Sequence, residues 1–307
     1  MRQHGVILLA LTLLASGCGS PEPPDTPTAS SDADDSRLSV YVVNYPLAYL
    51  AQRIGGDVVT IALPAPPDGD PAFWSPDADA VAAYQQADLI LLNGAGYAAW
   101  VDRVTLPPTK LVDTSVSFRD RYISIEDAVT HSHGPEGDHS HGEVAFTTWL
   151  DPTLAVEHAA AIRDAFAAVR PEHEATFVAG FESLEADLLE LDADLERVTA
   201  GLSQTPLLGS HPVYQYLARR YGLNLRSVHF EPDEDPGAGG WEALDEILAE
   251  HPARWMLWEG EPLPAPAARL EGLGIRSVVY DPCGNAPSQG DFLTVMRQNL
   301  ENLEQAF

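Results

Sequence analysis

Four histidines, His131, His133, His139 and His141, fall within eleven residues in the segment His131-Ser-His-Gly-Pro-Glu-Gly-Asp-His-Ser-His-Gly142. Neutral imidazole is the commonest side-chain ligand for borderline metals, and short His-rich tracts suit zinc, copper or nickel. The interleaved Gly and Pro rule out a continuous helix. The tract therefore reads as a mobile, solvated loop able to collect divalent metal, or, more plainly, as a polar insert. A second group of ligand-type residues is spread along the C-terminal half: His211, His229, Glu231, Glu259, Asp281 and Cys283. Each is a competent metal donor and, taken alone, equally a surface polar residue or a helix cap.

The elements that would position this second group follow from the apolar pattern. Strands are expected at Leu38–Val43, Val58–Leu63, Asp88–Asn93 and Lys110–Asp113, with helices at Pro46–Ile54, Asp77–Ala87 and Gly96–Val104. Pro152–Val169 has helical spacing. Pro171 opens a longer helix to about Ala200, whose Phe177, Phe181, Leu184, Leu188, Leu191 and Leu195 recur every three or four residues. The alternation then returns, with strands at Pro206–Gly209, Leu223–Val228, Arg254–Trp258 and Ile275–Tyr280. Helices are expected at Val213–Tyr221, Trp241–Glu250, Pro264–Leu273 and Gln289–Ala306. This is the pattern of two Rossmann-like α/β lobes with mainly parallel sheets, joined by a long rigid helix. In open α/β sheets ligands bind beyond the carboxyl ends of the strands. His211, His229 with Glu231, Glu259, and Asp281 with Cys283 each follow a different predicted strand of the second lobe, so they converge on one rim.

The first 17 residues carry Arg2 and an apolar run, Val6–Leu14, too short for a permanent membrane span and typical of a signal peptide. The run ends in Leu14-Ala-Ser-Gly-Cys18, which resembles a bacterial lipobox in which Cys18 is lipidated. Residues 18–36 are rich in Pro, Ser, Thr and Asp and read as a flexible tether. The rest divides into an N-terminal lobe at 37–150 with the His-rich loop 130–142, a helical region at 151–201, and a C-terminal lobe at 202–307. With Cys18 lipidated, Cys283 has no intrachain disulfide partner, because the chain has only two cysteines. The formal charge of −29, from 46 acidic and 17 basic residues, argues against nucleic acid or anionic lipid as the main partner. It suits attraction of cations and, equally, solubility in a saline setting.

Residues 38–307 resemble the metal-binding lipoproteins of zinc and manganese ABC importers. The resemblance rests on Asn44-Tyr-Pro-Leu-Ala-Tyr-Leu-Ala-Gln-Arg-Ile-Gly-Gly-Asp57, Asp88-Leu-Ile-Leu-Leu-Asn-Gly-Ala-Gly-Tyr97, Trp149-Leu-Asp-Pro152 and Ser210-His-Pro-Val-Tyr-Gln-Tyr-Leu-Ala-Arg-Arg-Tyr-Gly-Leu223. It implies metal held between two lobes by three His and one carboxylate, with a His-rich loop common in zinc-type members. It also implies Zn2+ as the ion (Mn2+ or another divalent metal being the alternative), an ABC importer permease as partner, a monomer, and an extracytoplasmic location on a membrane through the lipid anchor only.

The chain departs from that pattern. The position of the family's first His, after Asp70-Pro71, is Ala72; the second, two residues before Trp149, is Thr147; a family Glu is replaced by Ala98. His211 and Asp281 remain in place, and two donors with water hold zinc far more weakly than four. Three outcomes follow: a site rebuilt around His211 and Asp281 with His229, Glu231 or Glu259; metal held by the loop itself; or a cleft turned to an organic or metal-chelate solute. Phe73, Trp74, Tyr97, Trp100, Trp149, Tyr214, Trp241 and Trp258 are placed in or beside cleft loops and would favour the last, unless they are core. A periplasmic zinc hydrolase using His211 and Asp281 is a further alternative. Neither an HExxH helix nor a GxSxG elbow supports it, so the chain is read as a non-enzyme. The long helix is expected to restrict closure of the cleft, and the loop to raise local metal concentration.

Overall fold

The computed structural model describes residues 37–67, 69–125, 130–132, 138–140 and 144–307. The proposed signal peptide, Cys18, the tether, His133 and His141 lie outside the described residues.

The first sheet contains β1 (Leu38–Val42), β2 (Val59–Ala62), β3 (Leu89–Leu92) and β4 (Leu111–Asp113), all parallel, in the order β2-β1-β3-β4. The second contains β7 (Pro206–Gly209), β8 (Asn224–Ser227), β9 (Trp255–Trp258) and β10 (Arg276–Val279), again all parallel, in the order β10-β9-β7-β8. Parallel strands must be covered on both faces, which explains why β3 is the uninterrupted apolar run Leu-Ile-Leu-Leu. Between the sheets in sequence, the backbone at β5 (Thr130–Ser132) pairs antiparallel with β6 (Asp138–Ser140), with His131 opposite His139. The described parts of the His-rich segment are thus extended and pair as a ribbon.

The first three α-helices start at side-chain caps. The Asn44 side chain accepts from Leu47 N at 3.1 Å to open α1 (Tyr45–Gly55), and Asp77 accepts from Ala80 N at 2.8 Å to open α2 (Ala78–Gln86). Asp151 accepts from Thr153 N at 3.0 Å ahead of α3 (Pro152–Val169), where Pro152 fills the first turn. The long helix begins with a single 3-10 turn at Pro171–His173 and continues as α4 (Glu174–Thr199), 26 residues. In the second half come α5 (Gln215–Tyr221), α6 (Gly237–Glu250), α7 (Pro264–Gly272) and α8 (Phe292–Ala306).

The apolar row predicted for α4 is buried, Phe177, Leu184 and Leu188 completely so, and packs on α1, α3 and α8. Two ion pairs fix this helix to both halves. Arg53 of α1 donates to Asp187 at 2.6 Å, and Arg220 of α5 forks onto Asp192, which also accepts from Tyr221 at 2.9 Å. Gly180 lets α4 approach the end of α1: a Cβ there would sit 2.6 Å from the Ile54 carbonyl oxygen. The helix expected at Gly96–Val104 is only a five-residue 3-10 turn, Ala99–Arg103, because Gly94, Ala95, Gly96 and Ala98 take positive φ. Among the described residues no helix is long and apolar enough to cross a membrane.

Candidate metal centre

A cavity of about 250 Å³ lies at the carboxyl ends of the strands, lined from both halves of the chain by Asp70, Tyr97, Phe146, Trp149, Glu231, Glu259 and Asp281, among others. Its floor is a set of hydrogen bonds between segments distant in sequence. Trp149 Nε1 donates to the Pro282 carbonyl at 2.7 Å, Tyr45 N to Gly284 at 3.0 Å, and Asn285 Nδ2 to the Pro66 and Gly69 carbonyls at 2.7 and 2.8 Å. Buried Asn44 and Asn93 join the ends of β1 and β3 at 3.1 Å, and Asn93 reaches the Phe146 carbonyl at 2.9 Å.

On the C-terminal wall, β7 delivers Ser210-His211. The imidazole is buried between two carboxylates, with Nδ1 3.1 Å from Glu259 Oε1 and Nε2 3.5 Å from Glu231 Oε1. Burial alone would lower its pKa. The hydrogen bond and charge of Glu259, with the charges of Glu231 and Asp70, outweigh burial and hold the pKa above its ordinary value. Asp281, beyond β10, lines the same cavity and accepts from Cys283 N at 2.7 Å. Burial raises its pKa, the Cys283 amide opposes, and Glu259 adds to the rise. His229 stands beside the His211 ring, centroids 5.4 Å apart and nearly perpendicular, but is exposed and does not line the cavity. Cys283 is buried, and burial pushes its thiol up, away from the thiolate that would ligate metal.

The N-terminal wall differs. Ala72 and Thr147 are both buried, and the Thr147 hydroxyl donates to the Val213 carbonyl. In their place the wall offers Asp70 and Tyr97. Asp70 faces the cavity and accepts from Ala72 N at 2.8 Å. Surrounding protein, then the Glu259 and Glu231 charges, raise its pKa to about 6 against the Ala72 amide and His211, although the residue is exposed enough for cleft water to soften that shift. Tyr97 is 7% exposed, and its hydroxyl has no hydrogen-bond partner among the described residues. Phe146 and Trp149 hold its ring edge-on at 5.2 and 5.9 Å. Among the described residues the three non-glycine positions with positive φ, Ala95, Ala98 and Cys283, all lie within two residues of Tyr97 or Asp281.

The structure therefore brings His211, Glu231 and Glu259 into one group, with Asp281 on the same wall and His229 behind it. Among the described residues no three His, Cys, Asp or Glu side chains form a preassembled metal-holding set. As they stand they form a His–carboxylate hydrogen-bonded group, in which a metal would take the place of a proton on the imidazole. Sequence reasoning missed Asp70 as a participant. The one signal for it was its place beyond β2, next to the expected imidazole. The aromatic residues divide between core and cleft. Trp100, Tyr214 and Trp258 are core side chains, Trp241 packs in the core against Phe230 and under Arg269, and Phe73 and Trp74 contact Phe146 and Trp100 without lining the cavity. Tyr97 and Trp149 do line it, joined by Phe146.

Two parallel sheets spanned by a long helix, with a cleft at their strand ends lined from both halves, are the architecture of a two-lobed solute-binding protein. The chain belongs to the family described as zinc-uptake complex component A, periplasmic, which matches residues 40–306. Among curated relatives, the high-affinity zinc uptake system protein ZnuA of Bacillus subtilis is 25% identical, covering 97% of this chain and 95% of the relative. The zinc-binding protein AdcA of Streptococcus pyogenes is 23% identical over 88% of this chain, which spans only 56% of that relative's length. Among solved structures, the metal-dependent lipoprotein YcdH of Bacillus subtilis superposes with a TM-score of 0.74 at 21% identity, covering 88% of this chain and 99% of the other. The Zn(II)-bound ZnuA-like domain of Streptococcus pneumoniae AdcA gives 0.73 at 23% identity, covering 88% and 98%. At these identities the structural likeness speaks for the fold.

Proposed function

We propose that this chain captures a divalent metal outside the cytoplasm, zinc in the first instance, and delivers it to an ABC importer permease, held at a membrane by lipid on Cys18 and working as a monomer. The observation that carries the reading is the His211 imidazole fixed between Glu259 and Glu231 on the wall of a cleft that also presents Asp281. Family membership and the zinc-binding names of the relatives support the choice of ion. The His131–His141 segment serves as a capture element that raises local metal concentration. The clamps from α4 to α1 and α5 favour a cleft that closes little on loading.

A second reading, an organic or chelated solute, draws on the Tyr97, Phe146 and Trp149 rings and on a cavity larger than a bare ion. Thermal unfolding with and without each metal separates the two, because binding to the native state adds RT ln(1 + [L]/Kd). A zinc-dependent rise in Tm that persists when residues 130–142 are deleted supports the cleft. No shift with any divalent metal sinks the metal reading and leaves the organic solute.

A further inference from the structure

Among the described residues, the cavity at the strand ends is lined by Asp70 on the N-terminal wall, by Glu231, Glu259 and Asp281 on the C-terminal wall, and by no Lys or Arg. His211, between Glu231 and Glu259, offsets one of these charges when protonated. The carboxylates do not converge: among the described residues no three His, Cys, Asp or Glu side chains are grouped to hold an ion. Negative charge spread over two walls suits a cation that is itself extended, and it repels an organic anion or an anionic chelate. The lining also includes Tyr97, Phe146 and Trp149, with Phe146 and Trp149 meeting the Tyr97 ring at 90° and 73°. Rings at such angles offer faces in more than one direction, which receive alkyl groups that carry positive charge. The cavity, about 250 Å³, has the volume of about eight waters, enough for a chain of a few carbons. Tyr97 gives an independent sign of a ligand. Its hydroxyl has no partner among the described residues although the residue is only 7% exposed, a cost that a ligand N–H removes.

We propose that the cleft binds a short aliphatic diamine. One ammonium group meets Asp70 and the Tyr97 oxygen, the other meets Glu231, Glu259 and Asp281, and the methylenes lie on Phe146 and Trp149. This rests on the reading of the cleft as an organic-solute site and names the class of solute. The diamine and a metal bound in the cleft would use the same carboxylates, so each excludes the other.

The test uses the full chain with His131, His133, His139 and His141 replaced by Ser, and its D70N and Y97F derivatives. Calorimetry titrates 1,4-diaminobutane, n-butylamine and 1-butanol into each, with Zn2+ in parallel. Both substitutions preserve shape, and Asn can still accept from Ala72 N. The expectation is one diamine per chain, bound at least about tenfold more tightly than butylamine, with no binding of butanol. D70N weakens the diamine about tenfold and Y97F severalfold. Absence of diamine binding, butylamine binding as tightly, or diamine binding indifferent to both substitutions overturns the proposal, and zinc binding in the same protein then leaves the metal reading standing. Diamine binding without zinc binding removes the metal reading and keeps this one. Circular dichroism and Tm of each variant separate lost binding from lost folding.

Discussion

The C-terminal wall of the cleft carries His211 with Glu231, Glu259 and Asp281 at four strand ends. The N-terminal wall carries Ala72 and Thr147 where the family pattern would set imidazoles, and offers Asp70 and Tyr97 instead. Both walls hang on equivalent parallel sheets and both are fixed to the same long helix, so scaffold does not explain the difference. One wall presents a nitrogen donor among carboxylates, while the other presents only oxygen donors on comparable backbone geometry. Equivalent scaffolds can therefore carry different donor chemistry at their strand ends. Two of the buried histidines, His158 and His211, repeat the contrast. His158 sits between the hydroxyls of Thr114 at 2.6 Å and Thr148 at 2.8 Å, and burial drives its pKa down to about 4. His211 sits between carboxylates, and its pKa moves the opposite way.

The comparison breaks most visibly if the missing donors are restored. Ala72→His with Thr147→His should tighten zinc binding about a hundredfold or more, since two added imidazoles complete a four-donor shell. Calorimetry showing unchanged affinity in a folded double variant would mean the N-terminal wall does not face the metal. Next in size is the acid limb of stability. His158 has a folded pKa below its unfolded one, so its contribution is present above pH ~6.5 and is lost as pH falls toward ~4, by about 3 kcal/mol in all. Denaturant unfolding between those pH values should show the slope, and His158→Gln should flatten it; an equal slope in the variant would reject the buried neutral imidazole.

Removing the clamp behind the C-terminal wall, with Asp192→Ala, should cost about 2 kcal/mol by leaving Arg220 and Tyr221 without their partner. A loss under a few tenths of that figure would show that α4 does not depend on the pair. Gly180→Ala should be milder, about 1 kcal/mol, because the clash with the Ile54 carbonyl is partly offset by better helix propensity. A more stable variant would mean the two helices are free to move apart.

Much of the scaffold was legible in sequence because its signals are local. Pro152–Val169 and Pro206–Gly209 were readable to their ends, the first from a cap, a proline and helical spacing, the second from a short apolar run between turns. The segment Gly96–Val104 was not, since its apolar residues mimic a helix while Gly94, Ala95, Gly96 and Ala98 all take positive φ. At the site, His211, Glu231, Glu259 and Asp281 could be placed on one rim because each follows a strand. Asp70 and Phe146 could not, because their approach to the cleft depends on hydrogen bonds such as Asn285 to Gly69 and Asn93 to Phe146, made across more than fifty residues of chain. Trp100 follows β3 as Tyr97 does, and Trp258 ends β9. Burial direction, which sequence order does not carry, separates core from cleft.

The central claim is that the cleft around His211 holds the metal. It is tested most directly by titrating Zn2+ into the full chain with the four loop histidines replaced by Ser, alone and with His211→Ala. One zinc per chain, weakened at least tenfold by losing the imidazole, is the result expected. Zinc binding that vanishes with the loop histidines, or that ignores His211→Ala, would contradict it.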